Sequence, residues 1–181
     1  MKNTNLLVII SVFFLTFFAV PSYAWDHSVQ LGYGYSHDPN NVHYNNSGFL
    51  LSGDIIPLRH TCWTYWSVGG ALGQWHSNAP ANNNVTTASV DLNLRLYPMR
   101  VQPVYSPYFL ASLGPAYLSK QRLGTNTQGS HMAAQINLGL GTEIHCFDVN
   151  LRMVHYSNAS LATPNDGFNI LYLLSFGYLF S

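Results

Sequence analysis

Only 8% of the 181 residues carry a charge, with seven Lys or Arg against seven Asp or Glu. An ordinary soluble domain carries about 25%, so a water-soluble surface is hard to build from this chain. The basic residues form no patch or stripe, which argues against nucleic acid as a partner.

Residues 1–24 have the pattern of an export signal. Lys2 precedes an uncharged apolar run over residues 6–20, and Ser22 and Ala24 supply small residues at the positions that a signal peptidase reads. The run is shorter than the roughly 20 residues that a spanning helix needs, so a retained anchor is the weaker alternative. We predict a cleaved signal peptide over residues 1–24 and one domain over residues 25–181, beginning at Trp25.

The rest of the chain alternates apolar with polar or small residues. Gly, Asn, Ser, Pro or a charge interrupts each apolar stretch after residue 20, so this chain could cross a membrane only as a closed barrel. The predicted strands are residues 29–37, 48–55, 63–76, 88–96, 108–118, 132–144, 147–157 and 168–180. These patterns predict an all-β fold, an eight-stranded antiparallel up-and-down transmembrane β-barrel with its apolar face outward.

The competing architecture is a soluble barrel of the lipocalin kind, in which the apolar face points inward. That fold needs a charged exterior, whereas the polar faces here are mostly Gly, Ser and Asn. In the membrane barrel the polar faces turn inward. We then expect a buried structural network of charged side chains, formed by Asp54, Asp91, Arg95, Glu143, Asp148 and Arg152.

Connections of alternating length set the predicted orientation. The longer loops near residues 38–46, 77–86, 119–130 and 158–167 are predicted outside the cell, and the short turns near 57–62, 99–106 and 145–146 in the periplasm. Cys62 and Cys146 both fall in these short turns, in an oxidising compartment that permits disulfides. Whether the two cysteines pair is left open.

The outward column of the seventh predicted strand ends in His155 and then Ser157. Residues two apart on a strand share a face, so an imidazole and a hydroxyl lie side by side at the membrane edge. A hydroxyl is an effective nucleophile when a base within hydrogen-bond reach takes its proton. This pair therefore indicates an ester-hydrolysing site. The alternative is that polar residues are simply tolerated where a strand reaches the headgroups.

A longer motif favours the functional interpretation. His155-Tyr-Ser-Asn-Ala, followed by Pro164-Asn-Asp-Gly before the last strand, resembles the C-terminal motif of the lipid A 3-O-deacylase (PagL-type) family. These outer-membrane enzymes remove an ester-linked acyl chain from lipopolysaccharide. The resemblance implies Ser157 as nucleophile and His155 as general base, with Asn158 and Asn165 near the oxyanion site. It also implies lipid A as substrate, a Gram-negative outer membrane as location, and no metal or organic cofactor.

One residue departs from the family pattern. Family members have a Glu two residues after the Asp-Gly pair to orient the histidine, and this chain has Asn169 there. Replacing the acid with Asn in serine protease triads lowers kcat by about 10⁴. Asn169 also lies out of phase with the apolar column of the last strand, so only a bulge or a register change lets it face His155. A slower enzyme, rescue by Asp166 and loss of activity are the alternatives.

A second function is a non-catalytic structural or adhesive barrel with a degenerate site. Adhesive barrels usually project long extracellular loops, and the predicted loops here are short, which favours the enzyme. The sequence leaves open the acyl position and chain length, latency, and the oligomeric state, a homodimer being one of the states allowed.

Overall fold

The computed structural model describes residues 27–38, 43–99 and 104–180. The predicted signal peptide, residues 1–24, and the predicted start at Trp25 lie outside the described residues. Among these residues, no helix is both long and apolar enough to cross a membrane. The strands are β1 (His27–His37), β2 (Asn45–His60), β3 (Thr64–Ser77), β4 (Asn84–Leu96), β5 (Tyr105–Leu118), β6 (Arg122–Leu123), β7 (Asn126–Thr127), β8 (Met132–Ile144), β9 (Phe147–Ser157) and β10 (Phe168–Phe180).

Strands β1–β5 and β8–β10 form a closed barrel in the order β1-β10-β9-β8-β5-β4-β3-β2. Each neighbouring pair is antiparallel, and β1 closes the ring against β10. Closure pairs the backbone groups of both sheet edges, as a hydrocarbon environment requires. The predicted eight-stranded up-and-down barrel is therefore confirmed.

The outer face of the barrel is apolar. Apolar side chains at alternate positions of the strands are about half exposed, for example Leu138 and Leu140 on β8. The polar residues Gln135 and Asn137 of the same strand are buried. This distribution is the reverse of a lipocalin-type barrel, so the soluble alternative is wrong. An apolar exterior over a polar interior is the arrangement of outer-membrane barrels.

Charged groups fill the half of the interior next to the short turns. Arg95 lies 2.7 Å from both Asp54 and Glu143 and 3.3 Å from Asp148. Burial raises the pKa of Tyr97, which follows β4 and donates a hydrogen bond from its hydroxyl to Glu143. The predicted network is confirmed for four members, Asp54, Arg95, Glu143 and Asp148. Asp91 and Arg152 also point inward, but their hydrogen bonds go to uncharged side chains, to Ser89 and Gln135 and to Ser52 and Ser175 respectively. A cation between three carboxylates offsets the cost of burying them.

Tyr108 supplies a testable part of this network. Its hydroxyl is buried and donates to Asp148 Oδ1 at 2.5 Å, and a hydrogen bond to a charged group is worth about 1.5–3 kcal/mol. We expect Tyr108→Phe to lower the free energy of unfolding by that amount, measured from denaturant midpoints of the barrel in lipid vesicles. Tyr117→Phe, on the outward face of the same strand, should change it by less than about 0.5 kcal/mol. Equal effects of the two variants would contradict the assignment.

An apolar cluster fills the other half of the interior, beneath the long loops. Tyr156 stacks on Phe168 with ring centroids 4.6 Å apart and meets Trp75 edge-on at 6.3 Å. The Tyr156 hydroxyl lies 3.1 Å from Thr87 Oγ1, so the buried polar atom has a partner. The cluster also contains Leu50, Val85, Leu118, Leu123, Val154, Ile170 and Leu173. These contacts support the loop-side ends of β9 and β10 from inside the barrel.

The structure corrects several predicted boundaries. The predicted turn at 57–62 is wrong, because β2 continues to His60 and the turn follows at 61–63. Register shifts on either side of Pro57 accommodate a residue that has no N–H for the ladder. The predicted loop 119–130 contains a small hairpin, β6 and β7. Cys62 and Cys146 are both free thiols.

Candidate active site

His155 and Ser157 point outward from the C-terminal end of β9, at the end of the barrel that carries the long loops. Both side chains are partly exposed, and the residues between and before them, Tyr156 and Val154, are fully buried. Across the β8–β9 ladder, Ser157 faces Ala134 and His155 faces Ile136. The predicted pair therefore lies on the lipid-facing surface, beside small and aliphatic neighbours.

A bulge in β10 brings Asn169 to the same surface. Asn169 pairs directly with His155, and the β9–β10 register then shifts between Ile170 and Leu173. Two successive residues, Leu171 and Tyr172, are exposed at the shift, so the inward and outward positions exchange beyond it. The bulge that Asn169 needs in order to face His155 is present.

The same bulge corrects one part of the predicted pattern. Strict alternation along β10 would place Phe168 and Ile170 on the outer face, in phase with Leu174 and Phe176, but both are buried in the interior cluster. An extra residue in one strand of a pair reverses the side-chain alternation. Strict period-two extrapolation from the C-terminal half of β10 therefore assigns the wrong face to its first residues.

His155 and Asn169 form a short hydrogen bond, with 2.6 Å between Nδ1 and the amide Oδ1. An amide oxygen only accepts, so the imidazole donates from Nδ1–H. In the neutral ring this leaves Nε2 as the acceptor, which is the tautomer that a general base requires. Asn169 thus supplies the orienting hydrogen bond of a triad acid without its negative charge.

Gly167 supports the histidine ring from the β9–β10 loop. Its φ of +63° is a left-handed backbone angle that favours glycine, and a Cβ added there would lie 3.1 Å from His155 Cε1. The loop backbone therefore packs directly against the imidazole. Sequence reasoning treated this glycine only as part of a turn.

Ser157 directs its hydroxyl away from the histidine. Its Oγ donates to Asn165 Oδ1 at 3.1 Å and accepts a hydrogen bond from Ala159 N at 3.2 Å. Within the described residues, no hydrogen bond joins Ser157 to His155. Same-face neighbours two apart on a strand have Cα atoms roughly 7 Å apart, so rotation of the serine side chain is required for contact with Nε2.

Asn158, one of the two predicted oxyanion residues, has two N–H groups with different surroundings. The side-chain nitrogen of buried Asn158 donates to the carbonyls of Ala162 at 2.8 Å and Pro164 at 3.2 Å, so it holds the loop together. The backbone N–H of Asn158 points to Asn165 Oδ1 at 3.1 Å and Gln128 Oε1 at 3.2 Å. Of the two Asn158 groups, the backbone N–H is therefore the one that lies beside the Ser157 hydroxyl.

Asp166 does not take the place of the missing acid. Its carboxylate accepts a hydrogen bond from the Thr127 backbone N–H at 2.9 Å, and its own N–H donates to the Thr127 carbonyl at 3.0 Å. The carboxylate therefore holds β7 against the β9–β10 loop. Rescue of His155 by Asp166 is not supported by this geometry.

An open apolar groove lies beside Ser157 on the outer face of β5 and β8. Its floor includes the strand residue Ala134, which is the ladder partner of Ser157, and its rim includes Leu161, which is 90% exposed at the tip of the β9–β10 loop. Leu113, Pro115, Met132 and Ala159 complete most of the lining. The groove also borders Asn158 and Ala159, the two residues that follow Ser157.

Comparison with known proteins identifies the family of this chain. The family model described as lipid A 3-O-deacylase (PagL) matches residues 51–178, which include all five candidate site residues. The chain belongs to the lipid A 3-O-deacylase family. This family member also resembles "Lipid A deacylase PagL" of Pseudomonas aeruginosa, with 37% identity over 62 residues. That match covers 34% of this chain and 36% of the relative, so it spans about a third of the relative's length.

Solved structures support the barrel of this family member. The "Crystal structure of the outer membrane enzyme PagL" superimposes with a TM-score of 0.62 at 22% identity, covering 85% of this chain and 99% of that one. This match establishes the fold. The Yersinia pestis outer membrane protein Ail, in a phospholipid bilayer nanodisc, gives a TM-score of 0.49 at 18% identity over 86% of this chain and 99% of that one, too low for a functional argument.

Proposed function

We propose that this protein is an outer-membrane lipid A 3-O-deacylase, a serine esterase that removes an ester-linked hydroxyacyl chain from lipopolysaccharide in the outer leaflet. The observation that carries the proposal is the hydrogen bond from His155 to Asn169 beside Ser157 on the lipid-facing surface. Membership of the deacylase family points to the same chemistry. Residues 1–24 would direct export and be removed.

Catalysis begins when Ser157 leaves Asn165 and turns toward His155. Its Oγ bonds to the ester carbonyl carbon while its proton passes to His155 Nε2. The tetrahedral intermediate then collapses, and the departing sugar oxygen takes that proton. A water molecule, deprotonated by the same nitrogen, then attacks the acyl-serine carbonyl. The bond from Ser157 Oγ to the acyl carbon breaks, the fatty acid leaves, and His155 returns the proton to Oγ. No cofactor takes part in these steps.

The oxyanion of the intermediate needs hydrogen-bond donors that are already aimed at it. In the resting site the Asn158 backbone N–H shares the Asn165 amide oxygen with the Ser157 hydroxyl. When the substrate oxygen displaces that amide oxygen, the N–H donates to the developing charge while it keeps its second hydrogen bond, 3.2 Å long, to Gln128 Oε1. The Asn165 side chain, once turned, offers its NH₂ group to the same oxygen.

The surroundings of the pair suit a lipid ester. The hydroxyl lies where the apolar band of the barrel meets the long loops, which is the depth at which the acyl esters of an outer-leaflet glycolipid lie. In this proposal the apolar groove along Leu113 and Met132 holds the scissile acyl chain, and the exposed Leu161 side chain lines the same groove. Burial of a hydrocarbon chain contributes about 0.8 kcal/mol for each CH₂ group.

Mass spectrometry of lipid A tests this function. We expect the refolded protein, in detergent micelles, to reduce the mass of lipid A by one ester-linked hydroxyacyl chain and to leave the amide-linked chains in place. Heat-unfolded protein is the matched control. Unchanged lipid A after incubation with folded protein would instead support the non-catalytic structural or adhesive barrel, and loss of chains from glycerophospholipids alone would exclude lipid A as the substrate.

A further inference from the structure

The hairpin between β5 and β8 docks directly onto the loop that follows Ser157. Besides the paired hydrogen bonds between Thr127 and Asp166, Gly129 N donates to the Pro164 carbonyl at 2.5 Å. A Cβ at Gly129 would lie 2.5 Å from the Thr163 carbonyl oxygen, so the two backbones approach more closely than a side chain allows. The hairpin is therefore a fixed support for the site loop.

Gln128 stands at the centre of this support. Its backbone bridges to Asn165 and its side chain is 2% exposed. The amide Nε2 donates to the Tyr156 carbonyl at 3.2 Å, and the amide Oε1 accepts from the Asn158 N–H at 3.2 Å. One side chain thus binds the backbone immediately before and immediately after Ser157.

We propose that Gln128 is a positioning residue for the nucleophile. The β8–β9 ladder ends at Ser157, and backbone at the end of a strand is held by fewer hydrogen bonds than backbone within it. The Gln128 amide replaces the missing pairing on both sides of the serine and so fixes the distance and direction from Oγ to His155 Nε2. Such control has a large effect on rate, because a misplacement of about 1 Å lowers a reaction rate roughly 10²-fold.

This inference rests on the proposed function, so its test uses two readouts. The first is the rate at which a fluorophosphonate probe labels Ser157, which reports the nucleophile without lipid A. The second is kcat and KM for release of the hydroxyacyl chain from lipid A. Gln128→Met keeps the length of the side chain and removes both hydrogen bonds. Gln128→Glu keeps an acceptor for Asn158 N and loses the donor to the Tyr156 carbonyl.

We expect Gln128→Met to lower both the labelling rate and kcat by about 10²-fold with KM within twofold of wild type. The labelling rate and kcat of Gln128→Glu should lie between those of wild type and those of Gln128→Met. Gln121→Met is the matched control, because Gln121 is exposed on the same loop and contributes only its backbone carbonyl to Gln128 N. It should remain within twofold of wild type in both readouts.

Other outcomes have definite meanings. Wild-type rates in Gln128→Met, or a raised KM with unchanged kcat, would overturn the positioning role. If Gln128→Met fails to fold, an unimpaired Gln128→Glu would overturn it as well. Wild-type protein that is labelled at Ser157 but leaves lipid A intact would refute the proposed substrate, and the labelling rates would still decide the role of Gln128. Absence of labelling in wild type would overturn both proposals.

Discussion

Ser157→Ala should lower the kcat of lipid A deacylation by about 10⁴- to 10⁶-fold, the range found when the nucleophile of a serine hydrolase is removed. The variant loses the hydroxyl that forms the acyl-enzyme in the proposed mechanism. It should still fold, because Ser157 is partly exposed and, among the residues that the structure describes, its hydroxyl hydrogen-bonds to the loop groups Asn165 and Ala159. Release of hydroxyacyl chains, followed by mass spectrometry over time, measures the effect.

A hydroxyl elsewhere at the long-loop end provides the control for that variant. Ser119 is exposed and accepts a hydrogen bond from Thr86 N at 2.8 Å, with no contact to the site. Ser119→Ala should retain the wild-type rate within about twofold. Substantial deacylation by folded Ser157→Ala would show that a water molecule or another residue attacks the ester, and the acyl-serine mechanism would have to be abandoned.

Asn169→Glu should raise kcat by about 10²- to 10³-fold. In serine protease triads, exchanging the acid for Asn lowers kcat by about 10⁴, largely through the wrong tautomer. Here the Asn169 oxygen already accepts from His155 Nδ1, so the tautomer is correct and only the charge is missing. A carboxylate at this position would stabilise the imidazolium that forms as Ser157 attacks.

Asn169→Gln is the control that separates the effect of the negative charge on kcat from the effect of the longer side chain. Glutamine has the length of glutamate and the neutral amide of the native residue, so it should leave kcat at or below the wild-type value. The kcat of all three proteins at several pH values, with folding checked in parallel, gives the comparison. Equal rates for Asn169→Glu and Asn169→Gln would mean that charge at this position does not limit the reaction.

Much of this structure could be predicted because a barrel wall has a simple period. Residues such as Ile136 and Leu138 alternate with the buried polar residues Gln135 and Asn137, and alternation of this kind fixes which face meets lipid. The pairing of His155 and Ser157 on one face follows from the same period. The sequence also showed what Asn169 would need in order to face His155. Simple alternation places Asn169 on the inner face, so only a bulge or a register change could turn it outward.

The remaining features depend on contacts between segments far apart in the chain. Nothing in residues 119–130 indicates that Gln128 would reach Tyr156 and Asn158, since that contact exists only when two loops meet over the closed barrel. The continuation of β2 through Pro57 was missed because proline usually ends a strand, and the bulges that tolerate it arise from pairing with β3. The resting partner of Ser157, Asn165, likewise follows from loop geometry.

The two-part filling of the barrel has a consequence for the cell envelope. Within the described residues, the aromatic cluster around Trp75 and Tyr156 closes one half of the lumen, and the ion pairs of Arg95 close the other. Ions and small solutes moving along the axis would have to displace both. We therefore expect the folded barrel to form no open pore through the outer membrane for ions or small solutes.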